Sequence, residues 1–169
     1  MKMKNYLKIF AVALVSVMLF ASCANHEAKK YGPVEFEIPI EGPLFAESIA
    51  EGVVTIPFKP EDFGITRDEV HSMKLDEIEI TTDHLDGLGL FNNVVFTVMT
   101  DNTESKEVAS QKIKGSPKKL TIKGLDQAEI EGFSKTNQFY LEMTGISRKD
   151  VEDNLTVKGR LTLSVLIGN

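Results

Sequence analysis

The chain has 169 residues, of which 42% are hydrophobic and 26% are charged, with 19 Lys and Arg against 25 Asp and Glu. These fractions are typical of a globular protein and exclude a disordered, a collagen-like or a polytopic membrane chain. Because the formal charge is −6, we expect no nucleic-acid partner. The single cysteine excludes an internal disulfide framework and a multi-cysteine metal site.

The first 22 residues differ from the rest of the chain. Three lysines among the first eight residues precede a run of twelve mostly apolar residues, Ile9 to Phe20. A helix needs about 20 apolar residues to span a bilayer, so this run is too short for that role. It has the length of the apolar region of a secretory signal peptide, which we predict for residues 1–22.

The apolar run ends in Leu19-Phe20-Ala21-Ser22-Cys23, which resembles the lipobox of bacterial lipoprotein precursors. The resemblance implies that diacylglycerol alkylates the Cys23 thiol, that cleavage occurs before Cys23 and that the new amine is usually acylated. Ala24 rather than Asp follows the cysteine, which resembles lipoproteins destined for the outer membrane of Gram-negative bacteria. We therefore expect an outer-membrane lipid anchor, with the folded part facing the periplasm rather than the cell surface.

The remainder of the chain is predicted to form a short tether and one domain. Loss of residues 1–22, which hold three lysines and no acidic residue, would change the formal charge from −6 to −9. We predict that residues 23–32 form the lipidated N-terminus and the tether, and that residues 33–169 form the domain. A domain of this size buries enough surface to fold without a disulfide.

Short runs with period-two alternation recur from Val34 to the end of the chain, which predicts β-strands. The predicted strands are 34–38, 52–58, 74–81, 94–100, 107–113, 120–123, 138–144 and 155–167. The capping-box pattern from Thr66 to Glu69 predicts one short helix, and Ser147 is the cap of a second predicted turn at 147–153.

The fold class that this pattern predicts is mainly all-β. Roughly seven to nine short strands between turn signals favour an antiparallel β-sandwich, with a β-barrel as the alternative. The alternating strand at 74–83 and Gly89-Leu90-Phe91-Asn92 are similar to segments of small immunoglobulin-like lipoprotein domains. That resemblance implies an immunoglobulin-like sandwich and no known active residues.

Residues 83–91 form the candidate functional loop. Asp83, His84 and Asp86 could donate ligands to one metal ion, or they could form a polar turn at the end of a strand. The apolar residues Leu88 and Phe91 could form an exposed binding tip, or they could cover the end of the sandwich. We predict no catalytic residue, no metal site and no cofactor, and we retain Asp83, His84, Asp86, Leu88 and Phe91 as the candidate binding loop.

Lysines are concentrated in one third of the domain. They are Lys106, Lys112, Lys114, Lys118, Lys119 and Lys123, with Lys112 and Lys114 on one face of a predicted strand. Such a group could bind an anionic partner, or it could be a solvated face or an edge protected against aggregation.

Three functions remain open from the sequence. The favoured one is a non-enzymatic, lipid-anchored module that binds or scaffolds an envelope protein or glycan. The second is a small metal-assisted hydrolase that uses the 83–86 loop and His71. The third is a subunit of a larger assembly that pairs through its C-terminal strand.

Overall fold

The computed structural model describes residues 27–126, 128–132 and 135–168. The predicted signal peptide, Cys23 and residues 24–26 of the predicted tether lie outside the described residues. The described strands are β1 (Glu27–Ile40), β2 (Ile49–Pro57), β3 (Val70–Thr82), β4 (Phe91–Thr100), β5 (Thr103–Lys112), β6 (Lys119–Lys123), β7 (Glu129–Glu131), β8 (Gln138–Ser147) and β9 (Leu155–Ile167). Short 3₁₀ helices occupy Pro60–Phe63, Arg67–Glu69 and Gly87–Leu90.

The strands form two antiparallel sheets. The first sheet has the order β1-β9-β3-β6, with β7 also paired to β3, and the second has the order β2-β8-β4-β5. Each sheet ends in edge strands and does not close on itself, so the predicted sandwich is confirmed and the barrel alternative is wrong.

The strand order is that of a jelly roll rather than that of an immunoglobulin domain. Successive strands cross from one sheet to the other at β1 to β2, β2 to β3 and β3 to β4. The alternation of apolar and polar residues indicates which side chains face the core, but it does not indicate which strands are neighbours. The sequence therefore could not distinguish an immunoglobulin-like strand order from that of a jelly roll.

Alternation along each strand places one row of side chains in the core. On β8, Phe139, Leu141 and Met143 are fully buried, as their spacing predicts. Further fully buried apolar side chains come from both sheets and include Ile38, Ile78, Ile80, Phe96 and Val157. The outward row of β8 carries Gln138, Tyr140, Glu142, Thr144 and Ile146.

The C-terminal strand β9 lies inside the first sheet. It pairs with β1 from Leu155 to Ile167 on one side and with β3 over nearly the same length on the other. Both of its hydrogen-bonding edges are therefore occupied, and addition of a neighbouring strand to β9 is excluded.

The described part of the predicted tether belongs to β1. Residues 27–31 pair with β9, from Glu27 opposite Ile167 to Tyr31 opposite Leu163. The Tyr31 side chain is 2% exposed, and its hydroxyl donates to the Pro57 carbonyl (3.2 Å) and accepts from the Lys59 amide (3.1 Å). The sequence predicted that residues 23–32 form a tether, but the pairing with β9 and the burial of Tyr31 make residues 27–31 part of the domain.

The antiparallel layout gives the sandwich two ends. The loop end carries four of the connections that cross between the sheets, at 41–48, 83–90, 113–118 and 148–154. The entry end, where β1 begins, carries 58–69, the turn at 101–102 and the region between β6 and β8. The first described residue of β1 and the candidate loop therefore lie at opposite ends of the domain.

The two predicted helical segments have different outcomes. The predicted helix is a single 3₁₀ turn, Arg67–Glu69, since β3 begins immediately afterwards at Val70, and Thr66 makes no side-chain cap. The predicted turn at 147–153 is not a helix: Ser147 ends β8, and Val151 forms an isolated bridge with Leu44. Among the described residues, no helix combines the length and apolar character that a membrane span requires.

Candidate functional site

The 83–86 turn is held by short local contacts. The His84 amide donates to Thr82 Oγ1 (3.3 Å), and the Asp86 amide donates to His84 Nδ1 (3.2 Å). Because His84 Nδ1 accepts this hydrogen bond, that nitrogen is engaged within the turn. The arrangement is that of a polar turn which ends β3 and leads into the Gly87–Leu90 helix.

Lysines from other elements neutralise both carboxylates of this turn. Lys158 Nζ of β9 lies 2.7 Å from Asp83 Oδ2, and Lys149 forms an ion pair with Asp86. The hydrogen bond from Lys149 keeps the pKa of Asp86 below its ordinary value, and the hydrogen bond to Asp83 raises the pKa of Lys158. A cation entering the turn would have to displace both lysines.

The proposed partner of the turn, His71, lies at the other end of β3. His84 follows His71 by thirteen positions of mostly extended chain, which corresponds to roughly 40 Å. The two histidines therefore cannot contribute to one site. Among the described residues, no group of three or more His, Cys, Asp or Glu is placed to hold a metal ion.

The apolar part of the candidate loop is buried. Leu88, Leu90 and Phe91 have no exposed surface, so they cover the end of the sandwich and do not form a binding tip. Leu85 alone in this loop is a largely exposed apolar residue, with 96% of its surface accessible.

The two glycines of this loop allow the 113–118 crossover to approach closely. A Cβ at Gly87 would lie 2.7 Å from the Pro117 carbonyl oxygen, and one at Gly89 would lie 2.8 Å from that of Gly115. The Leu88 amide donates to the Pro117 carbonyl across the same contact (2.8 Å). The glycine-rich segment thus supports a neighbouring loop, which the sequence alone could not show.

Arg148 fixes the other side of the 113–118 crossover. Its Nη2 donates to the Ile113 carbonyl (2.9 Å) and its Nε donates to Asn92 Oδ1 (3.0 Å). The Ile113 amide donates to the Asn92 carbonyl (2.9 Å). This crossover is therefore a braced surface at the loop end.

The end of β5 and the braced crossover present three lysines that carry no ion pair among the described residues. Lys112, Lys114 and Lys118 are exposed and are not within ion-pair distance of any described carboxylate. The neighbouring Lys119 differs, because its Nζ lies 2.6 Å from Glu79 Oε2. The sequence identified the lysine group, but it could not separate the paired lysines from the unpaired ones.

A groove of about 340 Å³ begins beside Lys112 on the outer side of the second sheet. Its lining comes from β4 and β5 and consists of Asn93, Val94, Val95, Glu107, Ser110, Gln111 and Lys112. Asn93 is the register partner of Lys112, and Val95 is the partner of Ser110. The groove therefore carries amide and hydroxyl groups between a lysine at the loop end and a glutamate nearer the entry end.

Two polar clusters lie further across the same face. The Tyr140 hydroxyl donates to Asp101 Oδ1 (2.8 Å) and accepts from Gln138 Nε2 (3.0 Å). Burial raises the pKa of Glu142, and the charge of Glu51 and a hydrogen bond with its side chain raise it further. The sequence showed acidic residues on both strands but not their diagonal proximity, which depends on the pairing of β2 with β8.

No protein-family model matches this chain, and no curated protein matches it. The chain is similar to a solved structure of Mud crab tombus-like virus, with 10% identity, a TM-score of 0.37, and coverage of 86% of this chain and 83% of that one. It is also similar to the xylan binding module CBM86 from Roseburia intestinalis, with 11% identity, a TM-score of 0.34 and coverage of 86% of each chain. Likeness at this level assigns no ligand to this chain.

Proposed function

We propose that this protein is a non-enzymatic, lipid-anchored envelope module that binds a partner through its loop end. The observation that supports this most directly is that the start of β1 and the candidate loop lie at opposite ends of the sandwich. The first described residue of β1, Glu27, is four residues after Cys23 in the sequence, while the crossovers 41–48, 83–90, 113–118 and 148–154 lie at the far end. An anchor on Cys23 would therefore hold the entry end close to the membrane and direct the loop end away from it.

The short separation between Cys23 and β1 determines how far the domain can move from a membrane. Four extended residues span at most about 14 Å. Two or more acyl chains on Cys23 would give stable attachment without contacts from the protein itself. The loop end would then face the interior of the periplasm, where a protein or glycan partner could reach the loops 41–48, 83–90, 113–118 and 148–154.

The contacts of the candidate loop favour binding over catalysis. Asp83 and Asp86 are each paired with a lysine, and the Asp86 amide occupies His84 Nδ1. General acid–base and metal-assisted reactions need a group that is positioned and free to exchange a proton or a ligand. The hydrolase alternative also loses His71, which lies at the entry end, so we do not retain it.

Fatty-acid labelling tests the anchor. The full chain, expressed in a Gram-negative bacterium, is expected to incorporate labelled palmitate and to sediment with the outer membrane. The Cys23→Ser variant is expected to lose the label, and Ser22→Ala, which keeps a small residue before the cysteine, should retain it. An unlabelled wild-type chain with a free thiol by intact-mass spectrometry would overturn the proposal.

A further inference from the structure

The groove between β4 and β5 ends at Lys112, next to the braced crossover that carries the unpaired Lys114 and Lys118. Lys112 is part of both features, since it lines the groove and precedes the crossover. Lys114 and Lys118 lie beyond it, on the 113–118 segment that Leu88 and Arg148 hold through backbone carbonyls. We propose that this surface binds an acidic polysaccharide, with its anionic groups on the lysines and its hydroxyls in the groove.

Charge complementarity indicates an anionic ligand. The chain as a whole has an excess of acidic residues, yet Lys112, Lys114 and Lys118 have no ion pair among the described residues. Lysine side chains bind carboxylate and phosphate groups as mobile point charges. Because the backbone beneath them is already braced, binding would order the lysine side chains without the further entropic cost of ordering the loop itself.

The lining of the groove indicates the kind of polymer. Asn93 and Ser110 supply amide and hydroxyl groups, and Glu107 supplies a carboxylate acceptor for hydroxyl donors. The lining contains no aromatic residue on which a nucleic-acid base could stack. Its apolar members are Val94, which is buried, and Val95, which is partly buried, so a peptide side chain finds no apolar pocket.

This inference deepens the proposed function and rests on its binding role, but it does not depend on the anchor. If the wild-type chain incorporates palmitate but does not bind the polysaccharide, only the proposed ligand is overturned. If the wild-type chain binds the polysaccharide but incorporates no palmitate, only the proposed anchor is overturned.

The test measures binding of the purified full chain, in detergent, to polygalacturonate. The triple variant Lys112→Gln, Lys114→Gln, Lys118→Gln is expected to bind about tenfold more weakly or worse. The matched control replaces three exposed lysines elsewhere, Lys30→Gln, Lys59→Gln and Lys135→Gln, with the same change of net charge, and should bind like the wild type. Far-UV circular dichroism verifies that both triple variants are folded.

Further probes separate an acidic polysaccharide from other ligands. Binding to polygalacturonate should weaken as salt is added, because exposed ion pairs are screened. Neutral dextran should bind poorly, and single-stranded DNA should bind more weakly than polygalacturonate at equal charge concentration. Absent binding to polygalacturonate, equal losses in the two triple variants, or equal affinity for DNA would each overturn the proposal.

Discussion

The guanidinium of Arg67 contacts Phe58 in two ways. Its Nη2 donates to the Phe58 carbonyl (2.9 Å), and its central carbon lies 5.5 Å from the centre of the Phe58 ring. A second nitrogen, Nη1, donates to the carbonyl of Thr136. One partly buried side chain therefore joins the loop after β2 to the segment before β8 at the entry end.

Replacement of Arg67 by lysine is expected to lower the free energy of unfolding by about 1–3 kcal/mol, because one ammonium group cannot satisfy both carbonyls in this geometry. Urea denaturation followed by circular dichroism at 25 °C measures the change. The Arg160→Lys variant is the control, since Arg160 contacts Glu79 on an exposed sheet face and should change less. Equal losses in the two variants would contradict the role of Arg67.

The glycine at position 89 is expected to be intolerant of a side chain. Because a Cβ there meets the backbone of the 113–118 crossover, Gly89→Ala should displace that crossover and destabilise the domain by about 1–3 kcal/mol. Hydrogen exchange should increase at the Leu88 amide, which bonds to Pro117 across this contact, and at the Ile113 amide, which attaches the start of the crossover to Asn92.

Gly115→Ala is the matched control for the Gly89 prediction. Gly115 has a φ of +69°, and a Cβ there meets no atom within 4 Å. Gly115→Ala should lower stability by about 1–2 kcal/mol, because alanine is disfavoured in this left-handed backbone conformation, but it should not open the contact with Leu88. If amide exchange at Leu88 increases equally in both variants, Gly89 is not the close-packing position that its geometry indicates.

Glu142 is expected to make stability depend on pH. Its pKa is raised above the ordinary value of 4.5, chiefly by burial and then by Glu51. Between the ordinary pKa and the raised pKa, the folded chain holds a proton that the unfolded chain has lost. The resulting stability is lost as pH rises through the raised pKa. Glu142→Gln should be more stable than the wild type at pH 7, with the difference vanishing below pH 4.5.

Melting temperatures between pH 3.5 and 8 test the Glu142 prediction. Glu51→Gln should give a similar but smaller gain, because it removes the repulsion and leaves Glu142 partly buried. The control is Glu107→Gln, which removes a carboxylate from the same face on β5, two strands away from Glu142 on β8. This variant should not reproduce the pH-dependent gain of Glu142→Gln. A constant difference between Glu142→Gln and the wild type across this pH range would refute the prediction.

The sandwich was predictable because alternation reports burial residue by residue. Phe139, Leu141 and Met143 face the core as their spacing predicts, and the Asp101-Asn102 turn joins β4 to β5. The order of the strands was not predictable, because each pairing joins residues distant in the chain, such as Ile40 with Leu155. The three-residue strand β7 was missed, since it is too short to show a period.

The candidate site shows the same division between local and long-range information. Asp83, His84 and Asp86 were identified from their residue types, but the lysines that pair with the two aspartates come from β9 and from the crossover before it. The lysine group was visible in the sequence. Its association with Asn93 depends on the register of β4 and β5, which the sequence does not encode locally.

The entry segment offers a direct comparison between a tether and a strand. A chain that begins at Glu27 retains Tyr31 and its pairing with β9, whereas a chain that begins at Pro33 loses both. Removal of a fully buried aromatic side chain typically costs about 3–5 kcal/mol, so the shorter chain should unfold at a clearly lower urea concentration. Tyr31→Phe in the longer chain keeps the ring but removes the hydroxyl contacts with Pro57 and Lys59, and it should lose less. Equal unfolding midpoints for the chains that begin at Glu27 and Pro33 would restore the assignment of residues 27–32 to a tether.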